Sequence, residues 1–133
     1  MNVNDMTRVA NNYTDENFSP NLVLSFINDA ISRINTSLKC SLPLITSVTD
    51  DYEALDTNWI YSILIPYACY GIKMNDGSLH EADRFLAIFN ENFETLKMNK
   101  FDAIKEEYRN PDFSGIYKRD LSRGINQGWF RRR

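Results

Sequence analysis

Between residues 19 and 39, apolar side chains recur at Leu22, Val23, Phe26, Ile27, Ala30, Ile31, Ile34 and Leu38. Steps of three, four and five place them on one stripe of an α-helix and on no single face of a β-strand. Asp29, Arg33 and Lys39 fall off the stripe. The start is punctuated: Ser19 suits an N-cap, Pro20 suits the first helical position, and Phe18 with Val23 suits a hydrophobic staple. The helix is expected to stop before Pro43, because the residue preceding a proline is pushed out of the helical region. A helix with one apolar stripe needs partners to cover it, and the rest of the sequence supplies them.

A second helix is expected from about Asp56 to Lys73, carrying Trp59, Ile60, Ile63, Leu64, Tyr67, Ala68 and Ile72. It is apolar on most sides, so it is the central and most buried one. Pro66 inside it cannot donate to the Ser62 carbonyl, which predicts a kink. Asn75, Asp76 and Gly77 read as a turn, and Ser78 with Glu81 reads as a capping box. These open a third helix with Leu79, Ala82, Phe85, Leu86, Phe89, Phe93 and Leu96 on one face. Phe101, Ile104 and Tyr108 continue the spacing, as an extension of that helix or as a short fourth one. The fold class is therefore mostly α. A small bundle of three to four helices spans residues 19–109, between a flexible N-terminal segment (1–18) and an extended, basic C-terminal arm (110–133).

Leu, Ile, Val and Phe make up 35 of the 133 residues, enough for a packed core without disulfide or metal staples. Two cysteines exclude a disulfide framework and a four-thiolate zinc site within one chain. Residues 1–12 are polar and carry Asp5 and Arg8, unlike a secretory leader. No stretch approaches the roughly 18 apolar residues of a membrane span. A soluble protein of intracellular type is expected, one unusually rich in amide side chains, with 15 asparagines.

Charge divides the chain. Residues 1–109 hold 9 basic and 16 acidic residues, net −7, whereas residues 110–133 hold 6 basic and 2 acidic, net +4. Three of the five glycines and Pro111 lie in this last stretch, which has no sustained apolar periodicity. Its cations are interleaved with Tyr117, Trp129 and Phe130. That mixture fits a protein partner, where Trp, Tyr and Arg are common anchors. It also fits nucleic acid, through phosphate contacts and base stacking, or an inert solubilising end.

Catalytic signals are sparse. His80 is the lone histidine, in the first turn of the third helix, with no evident partner for proton transfer. Cys69 falls inside the buried helix and Cys40 at a helix end, where small apolar packing is the expected role. Asp50, Asp51, Glu53 and Asp56 lack the glycine and ligand spacing of a calcium loop and suit a solvated helix start. Neither a nucleophile elbow nor a phosphate-binding loop is present. No catalytic, cofactor or metal site is expected, and the chain reads as a non-enzyme.

The run Phe26-Ile27-Asn28-Asp29-Ala30-Ile31 leads to Leu42-Pro43, and then to Tyr52-Glu53-Ala54-Leu55, Trp59-Ile60, Leu64-Ile65-Pro66-Tyr67-Ala68 and Gly71-Ile72-Lys73. With Ser78, Glu81-Ala82 and the stretch from Phe85 to Phe93, this pattern resembles the head-to-tail adaptor, or connector, proteins of tailed bacteriophages, over residues 21–108. The resemblance implies a structural virion protein at the head–tail junction, assembled in the host cytoplasm. Such adaptors form a ring, usually of twelve copies, beneath the portal protein. They extend the DNA channel and offer a platform to tail or stopper proteins. Carried over, Ile116, Tyr117, Lys118, Arg119, Arg123, Trp129, Phe130, Arg131, Arg132 and Arg133 would form the portal-binding arm, with Trp129 and Phe130 as anchors. A ring of acidic bodies would repel phosphate and let the genome slide without specific binding. Residues 1–19 and the connector 42–55 are the expected flexible segments that fold onto a neighbouring copy, giving a monomer or weak oligomer in isolation. The alternative is a small nucleic-acid-binding or regulatory protein that uses the basic aromatic arm.

Overall fold

The computed structural model describes residues 1–113 of the 133. Among them the fold is mostly α. Helix α1 (Val3–Thr14) leads to α2 (Pro20–Leu38), and a long connector then reaches α3 (Thr57–Trp59). A π-turn (Ile60–Leu64) joins α3 to α4 (Ile65–Asp76) without a break. Helix α5 (Leu79–Met98), the short α6 (Lys100–Ala103) and a 3-10 turn (Glu106–Tyr108) follow. Helix α4 is the centre of the bundle, with α1, α2 and α5 packed around it. As its all-round apolar sequence predicts, Ile65, Ala68, Cys69 and Ile72 on it are fully buried.

Helix α2 starts as expected, with the Ser19 hydroxyl accepting from the Leu22 amide at 3.4 Å. Val23, Ile27, Ala30, Ile31, Ile34 and Leu38 face the core, while Leu22 is partly exposed. The helix ends before Pro43 demands it, because Lys39 takes a left-handed conformation (φ 58°) and closes the last turn.

Two expectations are corrected. Residues 1–18 are not a flexible segment. Val3, Met6 and Ala10 at spacings of three and four are fully buried, and Asn2 caps α1 by accepting from the Asp5 amide at 2.9 Å. The connector 42–55 is likewise fixed to its own body and is not left to order on a neighbour. Leu42, Ile45, Tyr52, Ala54 and Leu55 are buried, and two asparagines of α2 hold its backbone. Asn28 donates to the Ile45 carbonyl (2.9 Å) and accepts from the Ile45 amide (2.8 Å). Asn35 does the same to Leu42 at 3.0 and 2.8 Å. The amino terminus adds a further tie, since the Tyr52 amide donates to the Met1 carbonyl at 2.9 Å and the Asn4 amide to the Val48 carbonyl at 3.2 Å.

Pro66 sits just past the π-turn, and the Ser62 carbonyl it cannot serve receives the Asn92 side-chain amide of α5 at 2.8 Å. Gly77 ends α4 in the left-handed region (φ 85°), with the Ser78 amide reaching back to the Lys73 carbonyl at 3.0 Å. The expected capping box does not form. The Ser78 hydroxyl donates to Asp76 at 3.0 Å, and Glu81 is drawn to Lys73. Phe101 and Ile104 belong to a short helix of their own or follow it directly, because the chain breaks at Asn99. No helix among the described residues is long and apolar enough to cross a membrane.

Replacing Asn28 or Asn35 by Ala strips both backbone groups of one connector residue of their partner. Each change is expected to cost about 1–3 kcal/mol in denaturant unfolding. It should also speed amide hydrogen exchange at Ile45 or Leu42, leaving α5 amides protected as before. Where α2 crosses α4, a Cβ on Gly71 would stand 2.6 Å from Cγ of Phe26. Gly71→Ala is therefore expected to destabilise by about 1–3 kcal/mol, with Phe26→Ala in the same chain recovering part of the loss.

Candidate functional site

The C-terminal arm leaves the body at a point the structure builds with care, and that root is the candidate site. Cys40 and Arg109 form an isolated antiparallel bridge. The Ser41 amide donates to the Tyr108 carbonyl at 2.7 Å, and the Asn110 amide donates to the Lys39 carbonyl at 3.3 Å. The chain leaving the 3-10 turn is thereby zipped to the chain leaving α2. Beyond it Phe113 is buried, with its ring edge-on to Phe101 at 5.0 Å between centroids. Lys100 and Arg109 stand over the Phe113 ring at 4.9 and 5.4 Å and over the Phe101 ring at 5.5 Å each. Two cations enclosing two rings is a favourable arrangement, each contact contributing about 0.5–1 kcal/mol or more when desolvated.

Backbone carbonyls hold the same cations. Lys100 donates to the Phe113 carbonyl at 2.8 Å, and Arg109 donates through Nε to the Ile104 carbonyl at 3.0 Å. Lys105 reaches across to the Glu53 carbonyl at 2.7 Å. The packed body therefore runs to Phe113, three residues past the boundary expected at residue 110. Periodicity could not find this, because Phe113 is a lone apolar residue after Pro111; its pairing with Phe101 is a tertiary contact. The ten arm residues singled out from the sequence, from Ile116 to Arg133, lie outside the described residues.

Beside this root the connector forms a groove of about 260 Å³ whose walls include Pro43, Leu44, Tyr52 and Tyr108, with Asp50, Asp51 and Glu53 exposed at its edge. Asp56, the fourth carboxylate of the sequence cluster, is the exposed N-cap of α3. Asp51 pairs with the terminal ammonium of Met1 at 3.7 Å. Among the described residues no group of three or more His, Cys, Asp and Glu side chains is placed to hold a metal ion.

The remaining candidates are dispersed. His80 is exposed in the first turn of α5. Cys40 and Cys69 are buried free thiols; desolvation pushes them up to about 11 and about 12, so both are protonated at neutral pH. The Tyr67 hydroxyl donates to Asp29, and burial together with that bond raises it to about 12.

Sequence reasoning missed one polar cluster altogether. Lys73, 7 % exposed on α4, pairs with Glu16 at 3.1 Å and Glu81 at 2.8 Å, tying the α1–α2 turn and α5 to the central helix. The Glu81 hydrogen bond, opposed by desolvation, raises the lysine above its ordinary value, and the Lys73 ammonium lowers Glu81 below the usual carboxylate range. No protein family, curated protein or solved structure matches this chain.

Both shifts fix a pH window. A carboxylate with a lowered value in the fold contributes stability above its unfolded value of about 4.3 and loses it as pH falls through the folded value. A lysine with a raised value contributes below its unfolded value of about 10.4 and loses it as pH rises through the folded value. In Lys73→Met, unfolding midpoints measured from pH 3 to 11 are expected to fall furthest below those of the parent between about pH 5 and 10. The two curves should converge at either extreme.

Proposed function

We propose that this chain is a structural, non-enzymatic virion protein of a tailed phage. In this reading it is a head-to-tail adaptor attached beneath the portal, where it extends the DNA channel and joins head to tail. The observation that carries it is the division of charge between residues 1–109, net −7, and residues 110–133, net +4, whose aromatic residues are set among arginines. Such an arm suits a folded protein surface, on which aromatic side chains and Arg act together as anchors. The root geometry supports the same role, because the Cys40–Arg109 bridge and the Phe101–Phe113 contact anchor the start of the arm, residues 110–113, to the body. Neighbouring copies in a ring, usually twelve, and tail or stopper proteins on the far side are the further partners in this proposal. The carboxylates of the body would keep passing genome DNA from adhering.

Co-expression with the portal protein of the same phage tests it. The full chain should co-purify with assembled portal and be present in mature particles by mass spectrometry. Removal of residues 124–133 should abolish both while leaving the helical circular dichroism and unfolding midpoint of the body unchanged. Retention of portal binding by the shortened chain would refute the proposal. The nucleic-acid alternative would instead give binding to DNA or RNA whose log–log salt slope is near −5 for about six phosphate contacts, lost on the same truncation.

A further inference from the structure

We propose that in the free chain the first part of the arm, Ile116 to Arg119, docks into the groove beside its own root. The groove of about 260 Å³ is lined by apolar Pro43, Leu44 and Tyr108 and by the exposed carboxylates of Asp50, Asp51 and Glu53. Leu44 is 52 % exposed in this lining, whereas Leu42 and Ile45 on the same connector are buried. The surface thus offers an apolar contact flanked by negative charge. The arm segment has the complementary order: apolar Ile116 and Tyr117, then cationic Lys118 and Arg119.

Reach selects the occupant. Tyr108 lines the groove, and Phe113, five residues later, is fixed against Phe101. Phe113 therefore lies within about 17 Å of Tyr108, and Lys118, five residues further on, can return over the same distance. A tether this short gives an effective concentration of order 1 mM, which a separate molecule at ordinary working concentrations does not match. Local charge favours the same pairing. Lys105, which reaches the connector from beyond α6, donates to the Glu53 carbonyl, and Asp51 remains 67 % exposed despite its pairing with the terminal ammonium. In this state Lys118 and Arg119 are covered and the distal Trp129 and Phe130 remain outside the contact. The inference concerns the isolated chain and stands apart from the portal reading.

Limited trypsin digestion of the full chain alone tests it, with cleavage after Arg131 and Arg132 as the internal reference. At low ionic strength, cleavage after Lys118 and Arg119 is expected to be about tenfold slower than the reference. In about 0.5 M salt, where the Debye length falls below 5 Å, the two rates should become equal. The variant Asp50→Asn/Asp51→Asn/Glu53→Gln should show equal rates at low salt, provided its circular dichroism matches the parent; if it fails to fold, the salt series on the parent decides. Equal rates in the parent at low salt would overturn the proposal. So would protection that disappears on dilution, which would place the arm on a second copy.

Discussion

The bundle depends on a match of lengths between a helix and the extended chain that runs back along it. Asn28 and Asn35 are seven residues apart on α2, about 10.5 Å of helix rise, and they hold Ile45 and Leu42, three residues apart in extended chain, about 10 Å. Each amide uses its oxygen and its nitrogen on the two backbone groups of a single residue, as a neighbouring strand would. A helix cannot otherwise offer such a pairing, because its own backbone is already hydrogen-bonded to itself. The connector can therefore bury Leu42 and Ile45 without stranding their peptide groups. An Asp at either position could accept but not donate, and a Leu could do neither. Asn11 repeats the device at the α1–α2 turn, bracketing Phe18 at 3.0 Å on both sides and setting the angle at which α2 begins.

The same economy of side-chain amides serves the central helix. Pro66 cannot donate, so it leaves the carbonyl of half-buried Ser62 without its usual helical donor. Asn92 supplies the donor from α5, and in doing so fixes the height at which α5 packs on α4. The π-turn before the proline, in which the Ile65 amide reaches the Ile60 carbonyl, sits where Ile60, Ile63 and Leu64 are fully buried and tertiary packing can hold it. The aromatic sequence Tyr67, Phe89 and Phe93, with centroids 4.8 and 5.4 Å apart, then fills the α4–α5 seam.

Where a residue's partner lies within the same helix turn, its role could be read from the sequence; where the partner lies elsewhere, it could not. The α2 stripe, its Ser19-Pro20 start and the burial of α4 are all local or periodic, and the structure has them. Helix α1 escaped because its buried face is narrow and mixed: Thr7 and Thr14 interrupt Val3, Met6 and Ala10, and the Thr14 hydroxyl is satisfied by the Ala10 carbonyl at 2.8 Å. The Ser78–Glu81 pattern misled because a buried ammonium at Lys73 takes the same carboxylate at 2.8 Å, in a bond where both partners are charged. The richness in asparagine was visible, but its use was not, because Asn28 and Ile45 meet only in three dimensions. The body of the candidate site, with Phe113 held between Lys100 and Arg109, is legible only as scattered cations and a lone phenylalanine.

How the body's cations are used explains why the connector's surface is acidic. Lys73 is enclosed by two carboxylates, while Lys100, Lys105 and Arg109 donate to backbone carbonyls at or near the arm root. These four cations serve packing and chain direction. Asp50, Asp51, Glu53 and Asp56 remain at the surface on the connector. At physiological ionic strength a charge acts over about 8 Å, so proximity to this edge matters more than the body's total of −7. The first arm cations follow Phe113 by only five and six residues, so the tether is short enough for them to reach the connector. If the arm docks as proposed, a partner that captures it must outcompete the body's own carboxylates. Under the proposed adaptor role, that competition would bias the arm toward a surface offering pockets for Trp129 and Phe130 as well as charge.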